Sequence, residues 1–524
     1  MTSPVSDGLR IHPDPAEFAR LAADHSVVPV WAEILADLET PVSAYLKLVG
    51  DGPGFLLEST EHGEKWSRFS FVGRDPVATI VARGRSLEVT GSLGADVPTD
   101  RGVLAALEAL LAAHSTPQVD DLPPLIGGMI GYLGYDVVRE VEHLPDVPVD
   151  DHGMPDAVMS IIGSLAAFDH WRQRITLIES VMTRDEFGRP LPAEALAAAR
   201  SRAADAVRAS AAALSAPLGY DPVEPPRPGE GSESIRSSMP DGRYREAVAV
   251  AKEHIRAGDI FQVVLSQRFD VRLDAEPFDV YRVLRQINPS PYMYFIRHAE
   301  ATLVGSSPEP LVQLRGRHVV SRPIAGTRRR GADDEHDRRL AAELLEHPKE
   351  RAEHVMLVDL ARNDVGRVCE FGSVQPDELM TLERYSHVMH LTSQVSGTLR
   401  PGLGPIDVLR ATLPAGTVSG APKVRAMEII DALEPYKRGP YAGVVGYLDW
   451  SGNLDTAICI RTMFVRADGA MASLQAGAGI VADSDPADED LECHNKAAAL
   501  LAAIAPARRM TSARRQRSEG ERRD

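Results

Sequence analysis

The chain has 524 residues, 44% of them hydrophobic, a formal net charge of −18 and only three cysteines, none in a C-x-x-C pair. The acidic balance argues against nucleic acid as a partner, because phosphate binding wants a basic surface, and the scattered cysteines point to a reducing compartment without a disulfide framework. The opening "MTSPVSDGLRIHPDPAEF" has no basic segment followed by an apolar core, and no run is long enough to span a bilayer, so a cytoplasmic protein with no membrane partner is expected.

The first predicted helix starts at Asp14, with Pro15 as its first residue and Glu17 closing a capping box. "AYLKLV", "GFLLES", "FSFVG", "ATIVA" and "SLEVTG" then read as strands, and "VLAALEALLAAH" as a helix. The Gly-rich "LIGGMIGYLGYD" suits close packing. "MSIIGSLAAFDH" and "RITLIESV" read as a hairpin, and an Ala-rich helix closes this half near residue 214. These divide the chain into an N-terminal domain (14–214), a Pro-, Gly- and Ser-rich linker or surface loop (215–240), a C-terminal domain (241–505) and a disordered basic tail (506–524).

Two acidic pairs stand out in the second half. Glu350 and Glu353 lie in "KERAEHVMLVDLARND", and Glu489 and Glu492 lie in "EDLECHNK". Like charges three apart share a helix face and repel. Most such pairs are solvated surface, as Glu343 and Glu346 with the same spacing would be. Context separates the other two. His347-Pro348 and Asp485-Pro486 can each open a new helix, and both helices run into apolar sequence. Buried carboxylates need a counter-ion, and carboxylate oxygens from two helices suit a hard divalent cation such as Mg²⁺.

Between residues 240 and 505 the chain resembles the chorismate-utilising enzymes, and within them the large (component I) subunit of anthranilate synthase. The resemblance is carried by "GDIFQVVLSQRF", "NPSPYMYF", "GSSPEPLV", "RPIAGTRRRG", "EHVMLVDLARNDVGRV", "VMHLTSQVSG", "PAGTVSGAPK", "GPYAGVVGY", "AICIRTM" and "AGAGIVADSDP", in that order. The first half matches more loosely, through "FLLES" and "SRFSFVG". The resemblance implies an α+β fold of two face-packed antiparallel β-sheets flanked by helices; element alternation alone suggests βαβ units instead.

It also implies roles. The glutamates Glu350, Glu353, Glu489 and Glu492 would hold Mg²⁺, which in turn takes the ring carboxylate of chorismate. Arg461 and Tyr441 would bind the enolpyruvyl carboxylate, and the backbone at Gly477 and Gly479 would approach an oxyanion. Gly326, Thr327 and Thr417 would contact substrate, and Lys496 would add positive charge beside the metal. Glu309 in "SSPEP" is the expected general acid, since a ring hydroxyl leaves poorly unless protonated. His390 would support the later loss of pyruvate.

The nucleophile follows from two positions. Relatives that add water at C2 are expected to carry a lysine where this chain has Gln262, and an amide cannot deprotonate water. Relatives that aminate C4 carry a lysine in "PIKGT", whereas this motif reads "PIAGT" with Ala325. Direct attack by ammonia remains. No cysteine sits in a G-x-C-x-G elbow, so the resemblance implies a separate glutamine amidotransferase subunit (component II) and a heterotetramer of two large and two small subunits. It also implies tryptophan feedback at Glu58, Ser59, Pro289, Pro291, Tyr292 and Met293. The competing readings are a synthase that stops at 2-amino-2-deoxyisochorismate, a 4-amino-4-deoxychorismate synthase, a catalytically silent tryptophan-binding regulator and a tail-mediated nucleic-acid binder.

Overall fold

The computed structural model describes residues 8–59, 68–185, 187–218, 224–227, 235–240, 242–384 and 388–521. The first helix starts where expected, as Pro15–Asp24 capped by the Asp14 carboxylate, which accepts from the backbone of Ala16 and Glu17, but among the described residues Glu17 does not return a bond to Asp14 N to close a capping box. Two sheets follow, and every ladder between their named strands is antiparallel.

Both sheets draw strands from both halves of the chain. In the twelve-stranded sheet Gly54–Glu58 pairs with Tyr292–Arg297, placing Glu58 opposite Met293. In the eleven-stranded sheet Gly128–Leu133 pairs with Val444–Asp449, placing Ile130 opposite Tyr447. The division into domains at 14–214 and 241–505 therefore does not correspond to two separate cores. Phe71, Ile80, Tyr132, Tyr294, Leu303 and Leu311 belong to one continuous core supplied by both sheets and both halves. Helices including Arg243–Ala257, Pro277–Ile287 and Pro486–Ala502 cover the other face of the first sheet through a second core containing Tyr244, Phe278, Phe269 and Cys493.

Four local expectations change. "AYLKLV" lies in a helix, Pro41–Leu48, because Thr40 and Ser43 form a reciprocal capping box and Pro41 pre-sets the first turn. "MSIIGSLAAFDH" is two strands: Ala157–Ile161 joins the second sheet, and Ser164–Asp169 forms a hairpin with Arg174–Met182 in the first. The chain crosses between sheets at Gly163, where a Cβ would meet the Asp75 carbonyl at 2.2 Å. Part of 215–240 lies outside the described residues, but Arg236–Ser237 adds a short edge strand, with Ser237 opposite Phe269.

The fourth change concerns the tail. Residues 506–521 continue helix Ile504–Glu521, in which Ala507 and Thr511 are buried. Ile504, Ala507 and Met510 recur at helical spacing and pack on the second core. Arg508 donates to the carbonyls of Leu273 (3.0 Å) and Arg272 (2.6 Å), so its charge is spent on the fold.

Candidate active site

Strand Met471–Ile480 packs against one glutamate-bearing helix, Pro486–Ala502, and its Gly479 lies near Glu353 of the other, Pro348–Gly366. Local sequence sets both helices. His347 caps Pro348–Gly366, accepting from Glu350 N, and Asp485 caps Pro486–Ala502, accepting from Ala487 N and Asp488 N. Glu350, Glu353 and Glu489 are half-buried and Glu492 is exposed, whereas Glu343 and Glu346 both face solvent.

Glycine on the intervening strand makes room for polar side chains. A Cβ at Gly479 would stand 2.5 Å from Gln262 Nε2 and 4.0 Å from Glu353 Oε1. One at Gly477 would come within 2.9 Å of the Tyr441 hydroxyl. Lys496 Nζ donates to Gly477 O at 2.8 Å and pairs with Glu492 at 2.7 Å. Glu353 thus approaches this stretch directly and Glu492 reaches it through Lys496, while Glu350 lies beside Gly326 on a neighbouring strand. Gln262 is buried, and its Oε1 has no hydrogen-bond partner among the described residues. Such an acceptor costs free energy until a donor arrives.

The second wall is strand Ile324–Arg329. Its register against Val388–Thr398 shifts between Ala325 and Thr327, making Gly326 the bulged residue at φ +64°. A Cβ there would lie 3.1 Å from Glu350 Oε2. The bulge turns Thr327 toward His390, whose Nδ1 is 2.9 Å from Thr327 Oγ1. Burial, with a smaller push from Arg461, takes the His390 imidazole down to about 4, so it is neutral at pH 7.

Glu309 and Arg461 are close enough to influence each other electrostatically. Glu309 sits at the end of strand Ala301–Ser307, its carbonyl accepting from Ile458 N at 2.9 Å. Burial raises its carboxyl to about 8, against the lowering influence of Thr417, Lys496 and Arg461, so it is largely protonated at neutral pH. Arg461 holds φ +50°, a left-handed conformation that costs a non-glycine residue ~1 kcal/mol or more. Burial depresses its basicity, and among the described residues its guanidinium forms no ion pair. A guanidinium fork matches the geometry of a carboxylate.

Sequence reasoning missed two supports, Arg328 and the Arg438–Glu434 pair, and set a third, His354, on the helix face of Glu350 and Glu353 without a partner. Arg328 Nη1 pairs with Glu350 at 3.1 Å while its Nε reaches Glu343 at 3.2 Å. Buried Arg438 holds Glu434 through two bonds, donates to Val418 O and Val264 O at 2.7 Å, and lies over the Tyr441 ring. Their spacing of four residues in "EPYKR" was the available signal. His354, on the inner face of the first glutamate helix, bonds Ser393 Oγ at 2.6 Å, and Ser393 in turn accepts from Met380 N.

A metal fits this site chemically. Among the described residues no three carboxylate, imidazole or thiolate groups close into a ready cage. The four glutamates nevertheless offer only hard oxygen donors, and Gly326 and Gly479 leave open the space beside Glu350 and Glu353 that a Cβ would fill.

The expected feedback residues gather elsewhere. Glu58, Ser59, Pro291, Tyr292 and Met293 line a cavity of about 480 Å³; Pro289 is not part of its wall. The Glu58 carboxylate is already engaged, by Arg285 at 3.0 and 3.1 Å and by the Tyr281 hydroxyl at 2.6 Å. Tyr292 donates to Asp455 at 3.0 Å, and Gln313 bridges the two.

Two shared antiparallel sheets with a buried acid, an uncommitted arginine and paired glutamates over a glycine strand define an enzyme built for an anionic substrate. The chain belongs to the family described as chorismate binding enzyme, whose pattern matches residues 53–502. It is 47% identical to anthranilate synthase component 1 of Thermus thermophilus, over 91% of this chain and 97% of that one. It is 45% identical to the Mycobacterium tuberculosis protein of the same name, over 96% and 97% respectively. The crystal structure of anthranilate synthase component I from Streptococcus pneumoniae superposes with a TM-score of 0.71 at 37% identity, over 89% of this chain and 99% of that one. Among the described residues, no helix is long and apolar enough to cross a membrane.

Proposed function

We propose that this chain converts chorismate and ammonia to anthranilate and pyruvate through 2-amino-2-deoxyisochorismate, the committed step toward tryptophan. The observation that carries the reading is Glu309, a buried carboxyl held protonated at neutral pH next to Arg461. Arg461, with Tyr441 beside Gly477, binds the enolpyruvyl carboxylate. Ammonia forms the new bond at C2 as the ring double bonds shift and the C4 hydroxyl departs. Glu309 gives that hydroxyl its proton, so water leaves rather than hydroxide. The unpartnered Gln262 Oε1 accepts an N–H of the incoming ammonia and orients it. Loss of the C2 proton and cleavage of the C3–O bond then aromatise the ring, and the departing enolpyruvyl group takes up one proton at its methylene carbon to become pyruvate. In this reading neutral His390, oriented by Thr327, receives the C2 proton.

Glu350, Glu353, Glu489 and Glu492 would hold Mg²⁺, which supplies positive charge for the ring carboxylate. Ala325 leaves no amine to attack C4, and Gln262 no base to activate water. Ammonia comes from a partner glutamine amidotransferase, with which the chain forms a heterotetramer in the cytoplasm. Tryptophan inhibits from the 480 Å³ cavity.

The test is anthranilate fluorescence from purified protein given chorismate, Mg²⁺ and an ammonium salt, with each omitted in turn. Signal requiring all three supports the proposal. Chorismate consumed without fluorescence would mean an enzyme that stops at the amino intermediate or aminates C4. No consumption would favour a silent regulator.

A further inference from the structure

A cavity of about 670 Å³ opens at the end of the first sheet remote from the catalytic residues. Strand Thr462–Arg466 begins next to Arg461 and ends with Arg466 in the cavity wall, which separates the two by roughly 17 Å of extended chain. Strand Tyr292–Arg297 likewise runs from the 480 Å³ cavity to Arg297 in this one. The C-terminal helix closes the wall with Arg514 and Arg515.

The charge here is opposite to that of the molecule. Arg297, Arg466, Arg514 and Arg515 face Glu276 and Asp51, in a chain of net charge −18. Arg297 is committed to Glu276, and Arg514 to the buried Asp279 at 3.2 Å. Among the described residues, Arg466 and Arg515 have no comparably close ion pair. Arg466 reaches the exposed Asp468 only at 3.8 Å, and its Nε is buried with no hydrogen-bond partner among the described residues. His298, in the same wall, also carries a buried Nε2 without a partner. Several guanidinium forks around one chamber match a group with several oxygens.

We propose that this cavity binds a small multivalent oxyanion, one bearing two or more phosphate or carboxylate groups. Neither the chorismate site nor the Glu58 cavity shares these residues, so it is a third site. The strands that join it to Arg461 and Tyr292 connect it to both.

The test is calorimetric titration of the full chain, without Mg²⁺, using inorganic pyrophosphate and, separately, citrate. Sodium chloride at matched ionic strength is the control. Saturable binding is expected, weakened at least tenfold in Arg466→Gln/Arg515→Gln and unchanged in Arg461→Ala. The exposed Arg515→Gln alone should weaken it severalfold, and both variants should keep wild-type anthranilate formation, which shows that they fold. Pyrophosphate binding without citrate binding would assign a phosphate ligand, and the reverse a carboxylate. Heats no different from the chloride control would overturn the proposal. So would binding that survives in the double variant or disappears in Arg461→Ala.

Discussion

The catalytic cleft and the Glu58 cavity lie in the same pair of sheets but treat their polar groups in opposite ways. In the cleft the demands are unmet: Arg461 is strained and forms no ion pair among the described residues, Gln262 Oε1 has no donor there, and Glu309 keeps its proton near neutrality. In the cavity they are met internally. Glu58 is closed by Arg285 and Tyr281, and Tyr292, Asp455 and Gln313 satisfy one another. A ligand entering the cleft completes hydrogen bonds that the protein leaves open. A ligand entering the cavity must instead rearrange a finished network. That network is tied to the cleft, because Tyr292 pairs with Ser307, two residues before Glu309, and Asp455 lies on the strand leading to Ile458. The first arrangement suits turnover and the second suits a switch.

Breaking the cleft should therefore cost most. Arg461→Ala is expected to lower kcat/KM roughly a thousandfold, as loss of a desolvated charge pair usually costs ~2–5 kcal/mol. Steady-state kinetics with chorismate measures it, and a loss below tenfold would detach Arg461 from substrate. Gln262→Leu should reduce ammonia-dependent turnover about tenfold with chorismate KM little changed, the signature of a nucleophile-orienting group. A changed chorismate KM at constant kcat would assign Gln262 to substrate instead.

Breaking the cavity should spare turnover. Glu58→Ala and Ser59→Leu are expected to abolish inhibition by tryptophan while anthranilate formation persists, read from rates with and without tryptophan. Retained inhibition would move the feedback site elsewhere. The smallest effect concerns neither site. Thr511→Ala removes hydroxyl bonds to Asp279 and Glu276 N, and should lower stability by about 1 kcal/mol in a denaturant titration.

What was legible in the sequence was local chemistry. His347-Pro348 and Asp485-Pro486 announce helix starts because capping involves neighbours, so the faces bearing Glu350 with Glu353 and Glu489 with Glu492 follow directly. Most remaining site residues came from resemblance rather than from pattern. What stayed hidden depends on distant partners. The nearness of Glu58 to Met293 came from the resemblance alone, and no local pattern gives the two ladders, Gly54–Glu58 with Tyr292–Arg297 and Gly128–Leu133 with Val444–Asp449, by which the two halves share both sheets. Arg328 looks like one basic residue among several in "TRRRG" until the fold brings it to Glu350. The tail looked solvated because charge dominates its composition, yet a few small apolar residues at helical spacing are enough to dock it.

The most direct test of the account is the pH dependence of anthranilate formation, measured at constant free ammonia and saturating Mg²⁺ and chorismate. The charged and polar groups around Glu309 are Arg461 and Lys496, with Thr417 in contact and the Asp364–Lys423 pair and Arg322 along the adjoining wall. A general acid raised to about 8 is active while protonated, so the rate should hold below that pH and fall as pH rises through it. Glu309→Gln should be roughly a hundredfold slower or worse and should lose that descending limb. A wild-type rate that stays level or rises through this range, or a Glu309→Gln enzyme that keeps full activity, would contradict the assignment of Glu309 as the proton donor.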